Sequence, residues 1–559
     1  MGVLIPYVTS WIIDRGIMAG NMPDVIKYGA VMLVIALFSL AFGILAGRNA
    51  AEASSGFAYN LREAMYRNIQ TFSFSNIDRF STASLVTRMT TDVSNLQNAY
   101  QMLLRVSVRA PLMLISSIVM CFFIHASVSW IFVVALAVLA VVLWSIISRA
   151  VKLFAQVFER YDELNNSVQE NVQAIRVVKA FVREEYEKKR FGHAVDGLYR
   201  LFVKTESLMA INHPVMMLVV YGCIMALSWW GAQYVVAGDL TTGQLTSLFS
   251  YVMNILMSLM MLSMIFVTLT MSAASGKRIV EVIEERPDLT NPADAVALVA
   301  DGSIDFRNVS FSYNGDIDGD GIIDYAISDI NLHIDAGETI GIIGGTGSGK
   351  TTLASLISRL YDATVGSVEV GGIDVSRYDM DILRANVATV LQKNVLFTGT
   401  VLDNLRWGRP DATLEECREA CRLAAADDFV EQMPQGYDTV LEQGGANLSG
   451  GQRQRLCIAR ALLRRPKVLI LDDSTSACDN ATDARIRRAF AAGIPGTTTI
   501  IIAQRVQSVS SAHRIVVMEG GRIVGVGSHD ELLASCPIYK EIYDIQMQDT
   551  SDFDAPQPQ

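Results

Sequence analysis

The chain has 559 residues, of which 51% are hydrophobic, and its formal net charge at pH 7 is -11. This length allows more than one domain, and the negative charge argues against a nucleic-acid partner, because phosphate backbones are bound by clustered Lys and Arg. The seven cysteines are scattered and odd in number, so they are predicted to be reduced and buried.

The first half of the chain has the character of a membrane domain. Apolar runs near the ~20 residues that cross a bilayer occur only before about residue 275. The opening stretch MGVLIPYVTSWIIDRGI offers only about 13 apolar residues and is interpreted as the latter half of a truncated first span. With it, six spans are predicted, and the five full ones cover residues 28–48, 106–124, 129–147, 208–235 and 245–271.

Two long polar stretches separate the second span from the third and the fourth span from the fifth. They are rich in Lys and Arg, whereas the loops around His125 and Asp239 have almost none, so the positive-inside rule places the long stretches in the cytosol. Each arm of about 25 residues is predicted to be a helix that extends roughly 35–40 Å from the membrane. Turns near residues 77–84 and 172–176 are predicted to contact a cytosolic partner.

The fifth and sixth spans are rich in methionine. Unbranched, polarizable Met side chains suit a pathway for varied apolar ligands, and they are equally compatible with ordinary helix packing or lipid contact.

Nucleotide chemistry is indicated by the stretch IGIIGGTGSGKTTL, in which a hydrophobic strand runs into a glycine-rich loop and a predicted helix. The glycines let backbone N–H groups surround phosphates, Lys350 reaches the terminal phosphates and Thr351 can ligate magnesium. The predicted ATP-binding residues of this loop are Gly344, Gly345, Thr346, Gly347, Ser348, Gly349, Lys350, Thr351 and Thr352.

Two later motifs complete a nucleotide site. The apolar strand VLILD ends at Asp472, which is placed to hold Mg²⁺, and NLSGGQRQR, residues 447–455, exposes donors at another predicted helix N-terminus. One ATP does not easily need two anion sites from one domain. The economical interpretation is a dimer in which this second motif covers the nucleotide on the partner's phosphate loop.

These motifs resemble those of half-transporters of the ATP-binding cassette (ABC) exporter family, of the bacterial multidrug or lipid type, over essentially the whole chain. The resemblance implies a multidomain fold, with an all-α transmembrane bundle of six helices followed by an α/β P-loop NTPase cassette. The predicted domains are residues 1–275 for the bundle, 276–299 for a linker, 300–548 for the cassette and 549–559 for an acidic, Pro-rich, disordered tail.

The resemblance also implies roles for further residues. Tyr313 would stack on adenine, and Gln392 would be a magnesium ligand that links the metal to the membrane domain. In the stretch SACD, Ser476 and Asp479 would cross the dimer interface. The signature that acts on the partner's ATP would comprise Leu448, Ser449, Gly450, Gly451 and Gln452.

Two candidate catalytic residues depart from the family pattern. Asp473 stands where the family has Glu, and Gln504 stands where it has His. A carboxylate set back by roughly 1–1.5 Å can slow a reaction about 100-fold, and an amide can hydrogen-bond phosphate but cannot carry a proton. The sequence therefore predicts a site that binds ATP and Mg²⁺ well and hydrolyses ATP poorly.

An intact signature beside a weak site predicts a heterodimer with a non-identical half-transporter that has the missing Glu and His. The predicted function is ATP-driven export of a hydrophobic or amphipathic substrate, whether small molecule, lipid or peptide, across the cytoplasmic membrane. Two alternatives stay open: a homodimeric exporter with two slow sites, and an ATP-binding regulatory or gating membrane subunit.

An acidic insert at residues 314–327, NGDIDGDGIIDYAI, is a candidate calcium site. Position 12 of the calcium loop is Ile327 instead of Glu, so an acidic Gly-rich hairpin tip is the alternative. Positions 1, 3, 5 and 9 are matched by Asp316, Asp318, Asp320 and Asp324.

Overall fold

The structure, a computed structural model, describes residues 2–313, 323–474 and 476–553. The chain divides into two compact units. The helical unit consists of Met1–Thr71 and Phe80–Glu285, and the cassette unit consists of Phe72–Arg79 and Arg286–Gln559. The short segment Phe72–Arg79 therefore packs with the cassette although it lies between helices of the other unit.

The first half of the chain, as far as it is described, forms helices only. Short π-helical segments join some of them, at Ile12–Ile17, Arg88–Asp92 and Leu103–Ser107. The α-helices are α1 (Leu4–Trp11), α2 (Met22–Ile69), α3 (Phe74–Phe80), α4 (Thr82–Thr87), α5 (Val93–Met102), α6 (Arg109–Ile124), α7 (Ala126–Gln173), α8 (Ile175–Ala180), α9 (Glu184–Ala210), α10 (Asn212–Ala237) and α11 (Thr242–Glu284).

The five full spans predicted from the sequence are confirmed as long apolar helices. α2 and α7 each have 48 residues, about 70 Å at 1.5 Å per residue, far longer than the ~30 Å hydrocarbon core of a bilayer. This length agrees with the predicted helical extensions. The stretches that are long and apolar enough to cross a membrane are Met22–Ile69, Thr82–Ile124, Ala126–Phe154, Glu184–Ala237 and Thr242–Glu284.

The core of the helical unit lies where α6, α7, α10 and α11 meet, around fully buried side chains such as Leu227 and Leu248. Two polar side chains of α11 tie α1 to this core. The Ser247 hydroxyl donates to the Pro6 carbonyl at 2.6 Å and the Tyr251 hydroxyl donates to the Val3 carbonyl at 2.7 Å. α1 is thereby held against the last span of the unit.

An ion pair with a buried carboxylate joins the far end of α11 to the π-helical segment that precedes α5. The Asp92 carboxylate is 1% exposed and accepts hydrogen bonds from the Arg278 guanidinium and, at 2.8 Å, from the Ser275 hydroxyl. A buried carboxylate is tolerated only when such donors satisfy it. This contact fixes the mutual position of the two helices in the extended part of the unit.

The cassette unit has twelve described strands. They are β1 (Ile304–Phe311), β2 (Ile327–Ile334), β3 (Thr339–Gly344), β4 (Val365–Val370), β5 (Ile373–Asp374), β6 (Val387–Val390), β7 (Gly399–Thr400), β8 (Val440–Leu441), β9 (Val468–Asp472), β10 (Thr498–Ile502), β11 (Arg514–Glu519) and β12 (Arg522–Gly527).

The α-helices of the cassette unit surround these strands, and 3-10 turns at Val375–Arg377, Gly436–Asp438 and Gln443–Gly445 join some elements. The helices are α12 (Lys350–Ile357), α13 (Met380–Asn386), α14 (Val401–Arg406), α15 (Leu414–Leu423), α16 (Asp427–Glu431), α17 (Gly450–Leu462), α18 (Asn480–Gly493), α19 (Val506–Val509), α20 (His529–Ser535) and α21 (Pro537–Phe553).

The central sheet has the strand order β12-β11-β3-β10-β9-β6, and only β12 is antiparallel to its neighbour. β9 and β10 are buried along their whole length, as expected for parallel strands covered on both faces. A second, antiparallel sheet has the order β2-β1-β4-β5. The predicted α/β class is confirmed.

Two boundaries differ from the sequence expectation. α11 continues to Glu284, past residue 276 where the linker is predicted to begin, and α21 continues to Phe553, into the predicted tail. The α11 extension is helical although it contains Gly276, and its apolar residues Ile279 and Val282 are buried. All seven cysteines are free and buried, which agrees with the predicted reduced thiols.

Candidate nucleotide-binding site

The predicted phosphate loop joins the end of β3 at Gly344 to the start of α12 at Lys350. Gly349 has a left-handed backbone with φ of +92°, which favours glycine. A Cβ on Gly349 would lie 2.4 Å from the Ile327 side chain, and a Cβ on Gly344 would lie 2.1 Å from the Met518 carbonyl. Glycine is therefore required at both positions for the chain to follow this path. The loop places backbone N–H groups at a helix N-terminus, an arrangement that binds anions.

The ammonium group of Lys350 lies inside this loop. Its Nζ donates to the carbonyls of Gly344 at 2.9 Å and Gly345 at 2.7 Å, and to the Ser348 hydroxyl at 3.3 Å. Burial lowers the pKa of Lys350, while the nearby Asp472 carboxylate raises it. A cation held at the centre of an anion-binding loop is suited to contact the phosphates of a nucleotide.

Asp472 ends β9 and meets the first turn of α12. Its carboxylate is 3% exposed and accepts a hydrogen bond from the Thr351 hydroxyl at 3.1 Å. Burial raises the pKa of Asp472. A hydroxyl and a carboxylate beside a phosphate loop are the hard oxygen ligands that Mg²⁺ takes together with substrate phosphates, so these two residues fit the metal.

Asp473 and Gln392 lie together next to this pair. The backbone of Asp473 is left-handed, with φ of +49°, its N–H donates to the Ile502 carbonyl at 2.9 Å and its carbonyl accepts from the Ser476 hydroxyl at 2.9 Å. Burial raises the pKa of Asp473, and a hydrogen bond from the Gln392 side chain opposes that rise. The Asp473 carboxylate is thus hydrogen-bonded to the side-chain amide of Gln392.

Gln504 follows β10, the strand between β3 and β9. Its side chain is exposed, and its backbone carbonyl accepts a hydrogen bond from the Gln546 side chain at 2.8 Å. Since β10 pairs with β9 through Ile502 and Asp472, Gln504 and Asp473 leave adjacent strands at the same edge of the sheet. The structure therefore brings the two departures from the family pattern to one edge.

An aromatic group lies at the predicted adenine position. The Tyr313 ring is 51% exposed, its hydroxyl pairs with that of Thr352 at 3.0 Å, and it makes T-shaped contacts with Phe311 and Tyr361 at centroid distances of 4.8 and 5.2 Å. A half-exposed ring fixed in this way can offer surface to a planar base.

Tyr361 is a site residue that sequence reasoning missed. Its hydroxyl donates to the Asp78 carboxylate at 2.6 Å, and its ring centroid lies 6.2 Å from that of Phe74. The same segment, Phe72–Arg79, is held by a 2.6 Å hydrogen bond from Ser75 to Asp288. The predicted contact turn therefore begins earlier than residue 77, and an aromatic residue after α12 was its only sequence signal.

The signature motif forms the predicted helix N-terminus. Ser449 is the N-cap of α17: its hydroxyl accepts from the Gln452 N–H at 3.3 Å and its own N–H donates to the Gln452 side chain at 2.9 Å. Leu448 is buried. A Cβ on Gly451 would lie 2.9 Å from the Ala477 carbonyl, so close packing against the following loop requires glycine.

Gln454 joins the signature helix to the SACD stretch, and it is a second residue that sequence reasoning missed. Its Nε2 donates to the Ser476 hydroxyl at 3.2 Å and its Oε1 accepts from the Ala477 N–H at 3.0 Å. Asp479 caps α18 by accepting from the Thr482 N–H at 2.7 Å, and these hydrogen bonds lower the pKa of Asp479. Signature and SACD stretch thus form one connected surface.

The calcium hypothesis concerns residues that lie mostly outside the described part of the chain. Asp316, Asp318 and Asp320 fall there, and Asp324 is described. Among the described residues, no group of three or more His, Cys, Asp and Glu side chains is arranged to hold a metal ion. Calcium binding stays a prediction.

Comparisons with known proteins agree with this architecture. Residues 1–277 match the family described as "ABC transporter transmembrane region", and residues 327–476 match the family described as "ABC transporter". The chain is 36% identical over 541 residues, 97% of its length and 93% of the relative, to the uncharacterized ABC transporter ATP-binding protein YfiB of Bacillus subtilis (strain 168).

Two further similarities concern exporters. The chain is 32% identical over 490 residues, 87% of its length and 84% of the relative, to the ATP-dependent lipid A-core flippase of Desulfotalea psychrophila. A solved structure of a bacterial Atm1-family ABC exporter with ATP bound has a TM-score of 0.79 at 24% identity, and the match covers 100% of this chain and 96% of that one.

The chain belongs to the ABC transporter family. It is a half-transporter of the exporter type, a multi-pass membrane protein with a cytosolic cassette whose ATP hydrolysis is coupled to transport and uses Mg²⁺. Such half-transporters work as dimers in the lipid bilayer.

Tyr361→Phe removes the hydroxyl that bonds Asp78 and keeps the ring beside Tyr313. Because the ring contacts are preserved, ATP affinity is expected to stay within about twofold, while transport per ATP hydrolysed falls, since one neutral–charged hydrogen bond of about 1.5–3 kcal/mol to the segment is lost. Transport and phosphate release from the purified transporter in vesicles measure both. Tyr543→Phe is the control. Equal transport per ATP hydrolysed in wild type and Tyr361→Phe would mean that the hydrogen bond between Tyr361 and Asp78 does not help to couple hydrolysis to transport.

Proposed function

We propose that this half-transporter is the weakly hydrolysing subunit of a heterodimer that exports an amphipathic, lipid-like substrate. The observation that carries the proposal is the environment of Asp473. Its carboxylate accepts a hydrogen bond from Gln392, and this hydrogen bond opposes the rise in pKa that partial burial causes. A carboxylate that is one methylene shorter than Glu and is engaged by an amide donor is poorly placed to take a proton from a water at the γ-phosphate.

Gln504 adds a second, independent deficit. A neutral amide at this position can donate to a phosphate oxygen, but it can neither hold positive charge nor transfer a proton as His can. The phosphate loop, by contrast, has its full complement of glycines, Lys350 and the Thr351–Asp472 pair. ATP binding can therefore be retained while ATP hydrolysis is impaired, because the two depend on different residues of this site.

The intact signature supports a non-identical partner. Ser449 and the two glycines after it begin a capped helix of 13 residues, and in a dimer this surface would complete the ATP site of the other subunit. A subunit with a weak site of its own contributes most to turnover through that surface. This asymmetry distinguishes a heterodimer from a homodimer, in which both deficits would be shared by both sites.

The substrate class rests on a methionine face of α11. Its members are spaced three or four residues apart, so they follow one side of the helix, and all are at least 43% exposed: Met253, Met257, Met260 and Met264. Flexible thioether side chains repack around irregular apolar groups. The similarity to a lipid A-core flippase favours a lipid-like amphiphile over a small polar solute.

The double substitution Asp473→Glu, Gln504→His is expected to restore hydrolysis. Wild-type cassette should retain bound nucleotide as ATP through many turnovers, whereas the double variant should convert it to ADP on the order of 100-fold faster, because the base regains its reach. The transporter is photolabelled with azido-ATP, and the nucleotide on this chain is identified by chromatography.

Adding Asp472→Asn to the double variant is the control, since loss of the magnesium carboxylate should cancel the gain. If wild-type cassette already yields ADP as fast as the double variant, the site is not impaired and the proposal of a weakly hydrolysing subunit is wrong.

The heterodimer is tested by unequal effects of two substitutions. Ser449→Arg removes the hydroxyl that caps α17 and puts a long, charged side chain where the signature would approach the partner's ATP, so it should lower steady-state ATPase of the purified transporter at least about tenfold. Asp473→Asn should change the same rate by less than about twofold, because the rate is set at the partner's site.

Ser535→Arg, on the exposed end of α20, controls for the added charge. Comparable losses for Ser449→Arg and Asp473→Asn would favour a homodimer, and unchanged transport with Ser449→Arg would favour a regulatory or gating subunit.

The methionine face predicts which compounds stimulate the ATPase. Lipid-like amphiphiles should stimulate it at lower concentration than small polar solutes, and Met257→Ala with Met264→Ala should raise the half-stimulating concentration about fivefold, since each truncation removes apolar contact area. Met225→Ala on α10 is the control. If the half-stimulating concentrations of the methionine variants equal those of wild type, the methionine face does not contact the substrate.

A further inference from the structure

The last helix of the chain is anchored in the cassette core. Tyr539 of α21 is fully buried, and its hydroxyl hydrogen-bonds His529 Nδ1 at 2.7 Å. Cys536, just before the helix, is buried as well. The helix is therefore a fixed part of the unit, and a side chain two turns further along it has a defined position.

One such side chain, Gln546, contacts the backbone on both sides of a single residue. Its Nε2 donates to the Gln504 carbonyl at 2.8 Å, and its Oε1 accepts from the Val506 N–H at 2.8 Å. The two bonds flank Arg505. The side-chain amide thus pairs with the turn in the way that a neighbouring strand would.

The turn that Gln546 holds lies beyond the end of the central sheet. β10 ends at Ile502, and the last sheet contact after it is the 3.2 Å hydrogen bond from the Ala503 N–H to the Ile342 carbonyl. α19 has four residues, and the first N–H groups of a helix have no partner within it. Gln546 supplies partners to both a carbonyl before the helix and an N–H at its start.

We propose that Gln546 is a positioning residue for Gln504, so that the C-terminal helix determines how this ATP site distinguishes ATP from ADP. The proposal rests on the proposed function, in which the Gln504 side chain faces the γ-phosphate. The amide of Gln546 holds the backbone from which that side chain extends. Removing it lets the turn rotate and withdraws the donor from the one phosphate that ADP lacks.

The chemistry of the contact demands an amide. Gln offers one donor group and one acceptor on the same end of the side chain, whereas Glu offers acceptors only and would set its oxygen against the Gln504 carbonyl. Ala removes both bonds. Gln546→Glu, nearly the same size, and Gln546→Ala therefore separate the hydrogen bonds from the packing of the helix.

The test measures nucleotide preference at this cassette in the purified full-length transporter. Photolabelling of this chain by azido-ATP is competed by ATP or by ADP in the presence of Mg²⁺. Gln546→Ala and Gln546→Glu are expected to lower the preference for ATP over ADP about 3- to 10-fold, the effect of one hydrogen bond, with competition by ADP unchanged. Ile545→Ala, the exposed neighbouring residue, should leave both unchanged.

The other outcomes overturn the proposal. Equal weakening of ATP and ADP, or the same loss with Ile545→Ala, would mean that the helix only stabilises the fold. An unchanged preference with both Gln546 variants, while Gln504→Ala lowers it, would overturn the positioning role and leave the proposed function intact. An unchanged preference with Gln504→Ala would overturn the γ-phosphate role of Gln504 and the positioning role with it.

Discussion

The nucleotide site depends on the insertion of β10 between β3 and β9. Parallel pairing in register places the carboxyl ends of these strands at one edge of the sheet, where ligands of open α/β sheets bind. The phosphate loop follows β3, and Asp472 ends β9. Thr351 and Asp472 are 121 residues apart in the chain, yet a 3.1 Å hydrogen bond joins their side chains. They meet because β10 pairs with both β3 and β9 and so holds those two strands at a fixed spacing.

Two side-chain amides hydrogen-bond loops that connect strands of the cassette to the helices that follow them. Gln454 bonds the SACD stretch from the signature helix, and Gln546 bonds the turn after β10 from the C-terminal helix. Each amide satisfies one carbonyl or hydroxyl and one N–H, as a peptide group of a strand would. These two loops, which contain predicted site residues, are therefore fixed by side chains, and each is tied to a different helix.

Asp473 shows how local and tertiary effects combine at one residue. The missing methylene is a local property, visible in the sequence as Asp in place of Glu. The left-handed backbone with φ of +49° and the hydrogen bond from Gln392, which opposes the rise in pKa that partial burial causes, both come from the packed cassette. Together they give the proposed weak site a physical basis that a comparison of residue types alone does not supply.

By itself the sequence determined the two halves, the five apolar spans, the phosphate loop with Lys350, the magnesium carboxylate and the signature, because each depends on hydrophobicity or on residues close together in the chain. Only the tertiary structure decided what Tyr361, Gln454 and Gln546 do, since each meets a partner at least 22 residues away and no local pattern marks such a pair. It also decided where α11 ends. Such long-range contacts depend on which strands and helices become neighbours. The packing of the whole cassette determines those neighbours.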